Sequence, residues 1–140
     1  MEMLSSLQVA QLANVTLRQL QWWDERRVVS PRQEDKRRIY SPAETIEVLM
    51  IAEMRQRGLS LQSIRRMLPI LRREVVRIKP DGPEAFAVIE NYRLRVADNP
   101  DQMIRTLKEA KGPAYVISLS DQIARVKDFV PKKQSKRWLW

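Results

Sequence analysis

The sequence predicts an α+β protein in which a mostly helical first half is followed by a small α/β unit. Three observations carry that prediction. Helix-start signals stand at Thr16, Ser41 and Ser60, each ahead of a stretch with apolar residues at helical spacing. Lys79-Pro80-Asp81-Gly82-Pro83 packs two prolines and a glycine into five residues, which no helix can continue through. Beyond it, Tyr92-Arg93-Leu94-Arg95-Val96 alternates polar and apolar with the period of a strand. The expected division is therefore residues 1–78, residues 84–130 and a basic aromatic tail, 131–140.

The elements follow in order. Ser6 to Ala13 is a short helix with Val9, Leu12 and Ala13 on one face, and Asn14 ends it because asparagine tolerates the left-handed backbone of a tight turn. Thr16-Leu17-Arg18-Gln19 is a capping box that opens a second helix running to about Arg26. Leu20 and Trp23 share its inner face; Arg18, Gln21, Trp22 and Glu25 share the outer one. Ser30 to Arg38 has little to bury and suits an exposed hairpin. Ser41-Pro42-Ala43-Glu44 is a second capping box with proline at the first helical position, starting a helix to Arg57 that Gly58 closes. Ser60 caps a helix to about Leu68, and Pro69 is expected to break it and restart the chain as a fifth helix, Ile70 to Ile78.

In the second part, Phe86–Ile89 and Tyr92–Val96 read as strands joined by a turn at Glu90-Asn91. Asn99-Pro100-Asp101-Gln102 opens a helix expected to bury Met103, Ile104 and Leu107. Tyr115 to Leu119 reads as a strand, and Ser120-Asp121 begins a last helix toward Phe129.

Composition narrows the function. The chain has no cysteine and no histidine, so disulfides, thiolate metal sites and cysteine nucleophiles are excluded, and the commonest general base is missing. With no paired-carboxylate spacing and no glycine-rich phosphate loop either, the chain is read as neither an enzyme nor a metal or cofactor protein. No stretch is long and apolar enough to span a bilayer, and Met1-Glu2-Met3-Leu4 lacks the features of a secretion signal, so a cytoplasmic, nucleoid-associated protein is expected. The net charge is +9. Residues 1–78 hold 14 basic and 9 acidic side chains and residues 79–140 hold 12 and 8, so both parts favour a polyanionic partner.

Two short helices joined by a tight turn, with an outward face of donors and an indole and a cationic hairpin next to it, can read double-stranded DNA. Lys36-Arg37-Arg38 would elsewhere be a solvated loop; directly after a helix-turn-helix it is read as a phosphate contact. Trp22 is read as an exposed functional indole, with packing under the hairpin as the alternative. The tail Lys132-Lys133-Gln134-Ser135-Lys136-Arg137-Trp138-Leu139-Trp140 suits nucleic acid, a membrane surface or a partner subunit, with disorder or partner packing placed first.

Across roughly residues 6 to 70 the chain resembles the MerR family of winged helix-turn-helix regulators. Val9-Ala10-Gln11-Leu12-Ala13-Asn14-Val15 is similar to the family's first helix and turn. Leu20-Gln21-Trp22-Trp23-Asp24 stands where the family shows a leucine, an arginine, two aromatics and an acid, and Val28-Val29-Ser30-Pro31-Arg32 follows in register. Arg38-Ile39-Tyr40-Ser41 resembles its Arg-Leu-Tyr-Ser, and Gly58-Leu59-Ser60-Leu61-Gln62-Ser63-Ile64 its Gly-Phe-Ser-Leu-x-x-Ile.

The resemblance implies that the second helix enters the major groove and that the hairpin is a wing beside it. The DNA-contacting set is then Thr16, Arg18, Gln21, Trp22, Arg32, Lys36, Arg37, Arg38 and Tyr40, with Arg18 on base edges or phosphate, Trp22 on sugar-phosphate, and Arg38 and Tyr40 on wing phosphates. It further implies a homodimeric promoter regulator that distorts the DNA between two half-sites and meets RNA polymerase there. The alternative reading is an architectural, recombination-accessory or antitoxin-type DNA-binding protein that takes no effector. Three departures stand out. Gln21 replaces an arginine and suits adenine; Lys36-Arg37 replaces Gly-Tyr at the wing tip; and the long pairing helix of the family is cut short at Pro80. Pairing would then fall to residues 84–130, whose second reading is an effector-holding unit.

Overall fold

The structure is a computed structural model that describes residues 2–129. The element order is β1 (Leu4–Ser5), α1 (Ser6–Ala13), α2 (Leu17–Glu25), β2 (Arg32–Glu34), β3 (Arg37–Tyr40), α3 (Pro42–Gln56), α4 (Leu61–Val75), β4 (Phe86–Glu90), β5 (Arg93–Ala97), α5 (Pro100–Lys108), β6 (Ala114–Ser118) and α6 (Leu119–Phe129). The result is the expected α+β protein, with two three-stranded antiparallel sheets of order β1-β3-β2 and β5-β4-β6. The tail Lys132–Trp140 lies outside the described residues.

Most helix starts form as their caps require. Thr16 accepts from the Gln19 amide while Gln19 accepts from the Thr16 amide, and Ser41 and Glu44 make the same reciprocal pair. Asn14 adopts the left-handed conformation at φ 56°, and Gly58 does so at φ 88°. A further capping box, Ser5 with Gln8, opens α1.

Pro69 does not break its helix. α4 runs without interruption from Leu61 to Val75, because its buried residues Ile64, Met67, Leu68, Leu71 and Val75 form one apolar stripe that continues past the proline. Pro69 itself faces solvent, where water can satisfy the carbonyl its missing N–H leaves free. Packing of the inner face outweighs a lost hydrogen bond on the outer one.

α3 is the centre of the molecule. Every residue from Thr45 to Ala52 is buried, since α1 and β3, α4, and α6 each cover part of its surface. The break at residues 79–83 is therefore not a break in the core: Leu119, Ile123 and Val126 of α6 join the same apolar cluster as Val9 and Ile51. Arg125 reinforces the junction by donating to the Leu12 carbonyl at the end of α1, 2.6 Å away.

Two further expectations change. The strand near Tyr115 spans Ala114–Ser118, and Leu119, fully buried, already belongs to α6. α5 buries none of its residues fully, and Ile104 stays 46% exposed, because α5 packs chiefly on β4 and β5 and leaves its outer side open among the described residues.

Candidate nucleic-acid interface

α1 and α2 meet across a three-residue turn in which the Val15 amide donates to the Ala10 carbonyl. Leu20 and Trp23 are buried, which anchors the inner face of α2 and leaves Arg18, Gln21, Trp22 and Glu25 outside. The Trp22 indole is 44% exposed, and the Arg26 guanidinium lies over its ring, 4.8 Å from the centroid. Trp22 is thus an outward side chain, not one packed beneath the wing.

The wing is a hairpin of β2 and β3 turning at Asp35-Lys36, with Gln33 opposite Arg38 and Glu34 opposite Arg37. Both turn residues have positive φ, 50° and 65°, the twist-matched geometry of a two-residue hairpin. β1 extends the wing into a sheet by pairing Leu4 with Tyr40 and Ser5 with Ile39. No sequence signal marks so short a strand.

The expected contact residues separate into groups. Lys36 and Arg37 stand exposed at the wing tip and, with Ser5, Leu17, Gln21 and Arg38, line an open cleft of about 490 Å³ between the wing and α2. Arg18 shares a second cleft with Leu17, Gln21, Trp22 and Glu25. Thr16 is committed to its cap. Arg32 pairs with Glu34 at 2.9 Å, both well exposed, so water and salt leave little of that attraction and the guanidinium can exchange partners.

Arg38 is tied to α2 and Tyr40 is buried. Arg38 donates from Nε to Asp24 Oδ2 at 2.6 Å, in a partly shielded ion pair that ties the wing to α2. Its Nε is thus engaged by Asp24, while the side chain, 26% exposed, still lines the first cleft. Tyr40 is completely buried, its hydroxyl has no partner among the described residues, and burial pushes that hydroxyl up to about 12. The ring fills the space beneath the wing and reaches no phosphate. Gln21 is also engaged: its amide donates to the Glu25 carboxylate at 3.2 Å, the same amide an adenine contact would use.

Tertiary structure adds cations that sequence reasoning missed. Arg55 at the end of α3 and Gln62 and Arg65 at the start of α4 close around Trp22 and Arg26, lining a cleft of about 460 Å³. The Gly58-Leu59-Ser60 corner brings them there, held by Arg55 donating to the Leu59 carbonyl at 2.9 Å. Residues 30 or more positions beyond α2 carry no periodic signal that would place them beside it. The three clefts adjoin, the first two sharing Leu17 and Gln21 and the last two sharing Trp22. Among the described residues no ion pair engages Arg18, Arg26, Lys36, Arg37, Arg55 or Arg65, and Glu25 is the one acid lining these clefts.

A helix-turn-helix whose second helix is flanked by a cationic wing and a cationic helix corner defines the class of DNA-binding transcription regulators with a winged head. Residues 4–70 match the model of the MerR HTH family regulatory proteins, so this part of the chain is similar to a MerR-family helix-turn-helix. The match takes in β1, two residues ahead of α1. No curated protein matches the chain. Among the described residues no helix is long and apolar enough to cross a membrane.

Proposed function

We propose that the protein is a sequence-specific regulator of transcription that binds double-stranded DNA as a homodimer, each α2 lying in a major groove, and distorts the promoter between its half-sites. The observation that carries this is the continuous strip of cations along α2, engaged by no ion pair among the described residues, from Lys36 and Arg37 at the wing tip to Arg55 and Arg65 at the α3–α4 corner. Charges arranged on both sides of a helix meet the two phosphate backbones that border a groove, while the helix between them faces base edges. Arg18, in the first turn of α2, is the side chain proposed to read bases, with Trp22 against sugar-phosphate. RNA polymerase at the promoter and a cytoplasmic, nucleoid-associated location belong to the same proposal.

Binding to DNA from upstream of the gene, measured against nonspecific competitor over a range of salt, tests it. Arg18→Ala is expected to abolish the preference over competitor. Arg65→Ala is expected to weaken all sequences alike and to reduce the slope of log K against log salt by about 0.9, the contribution of one phosphate contact. Equal affinity for operator and competitor DNA, or an undiminished preference in Arg18→Ala, refutes the proposal.

A further inference from the structure

We propose that β6 is a self-pairing edge: two copies of the chain join β6 to β6 antiparallel about a two-fold axis at Val116, forming one six-stranded sheet. This rests on the dimeric reading above and names the surface that makes it. β6 lies at the end of its sheet, hydrogen-bonded to β4 on one side and to nothing on the other among the described residues. An uncovered strand of this kind templates another strand unless charge or bulk protects it. The opposite edge, β5, carries Arg93 and Arg95 and lies against α4. β2 carries Arg32 and Glu34, and β1 spans two residues. β6 reads Ala-Tyr-Val-Ile-Ser, five residues without a charge in a protein of net charge +9.

What selects a second copy is the charge at the two ends of the strand. The start of β6 is basic: Lys111, whose backbone amide donates to Glu90 Oε2 at 2.7 Å, and Lys108 are both exposed. The acids there, Glu90 and Glu109, are already engaged by Arg95 at 4.0 and 3.3 Å. The far end is acidic: the Ser118 hydroxyl donates to Glu84 Oε2 at 3.4 Å and accepts from the Asp121 amide. An antiparallel pair sets the basic end of each strand against the acidic end of the other, twice by symmetry, so the surface is complementary to itself. The outer face of β6, where Val116 is partly exposed, widens the contact.

Sedimentation of the full chain tests the edge. The wild type is expected to be a dimer. Val116→Lys places like charges opposite each other at the axis and is expected to weaken association roughly tenfold or more. Lys111→Glu and Asp121→Lys are each expected to weaken it, and the two together to restore it, a rescue that a folding defect cannot produce. A wild-type monomer, no response to Val116→Lys, or no rescue by the double exchange overturns the proposal. So does loss of the dimer on replacing Trp138 and Trp140 by serine, which would assign the edge to the chain's own tail. Binding of one head to a single half-site is independent of β6, so retained half-site affinity in Val116→Lys separates failure of this edge from failure of the DNA-binding reading.

Discussion

Replacing Arg38 by alanine isolates the link between wing and reading helix. The Arg38–Asp24 pair is short, 2.6 Å, and its side chains are 26% and 16% exposed, so it lies between an exposed pair, worth about 0.2–1 kcal/mol, and a shielded charged hydrogen bond, worth about 1.5–3 kcal/mol. A coupling of about 1.5 kcal/mol follows. With an unfolding entropy of about 2.1 cal/mol/K per residue, a 140-residue chain loses about 5 °C of Tm for that amount. Arg38→Ala, Asp24→Ala and the double variant, measured by thermal and urea denaturation, give the coupling directly. DNA binding by the same three proteins decides the role. If Arg38 orients the wing through Asp24, Arg38→Ala weakens binding in the wild-type background and has no further effect once Asp24 is gone. If it instead holds a phosphate, the loss is the same in both backgrounds. A coupling below about 0.3 kcal/mol, or equal losses of affinity in both backgrounds, refutes the reasoning.

Three further perturbations have defined outcomes. Tyr40→Phe removes a buried hydroxyl that has no partner among the described residues; it is expected to raise stability by about 1 kcal/mol and leave DNA affinity unchanged, and a lowered Tm would show that the hydroxyl is satisfied. Lys36→Gly relieves a left-handed residue at φ 65°; stability should rise by about 1 kcal/mol while the salt slope of DNA binding falls by about 0.9, and an unchanged slope would place Lys36 away from phosphate. Glu47 is buried on α3 and accepts from Arg72 Nε at 2.7 Å, yet burial outweighs that partner and raises its carboxyl above the ordinary 4.5. Its contribution to stability is then fully present below pH 4.5 and lost as pH rises through the raised value, so the Tm of the wild type should fall relative to that of Glu47→Gln as pH rises. A wild-type Tm that rises relative to Glu47→Gln with pH would show that Arg72 prevails.

What could be read from the chain alone was whatever neighbouring residues decide among themselves. The caps at Thr16, Ser41 and Asn99, the left-handed turn at Asn14 and the buried Leu20–Trp23 face of α2 each depend on residues a turn apart, and each stands in the structure as its local chemistry requires. The hairpin of β4 and β5 was legible for the same reason, through alternation, although its turn falls at Asn91-Tyr92, one residue beyond the expected Glu90-Asn91, because Glu90 pairs with Arg93.

Tertiary packing decided the rest, because burial and charge pairing join residues far apart in the chain. It carried α4 straight through Pro69, since one continuous apolar stripe against the core outweighs a solvent-facing gap in the hydrogen-bond ladder. It turned Tyr40 inward, engaged Arg38 with Asp24, and brought Arg55 and Arg65 beside Trp22. It also joined α6 to α1 and α3 across the proline-rich break at residues 79–83. Which cations remain free to meet a phosphate is a property of three-dimensional neighbours, and composition counts a paired arginine and an unpaired one alike.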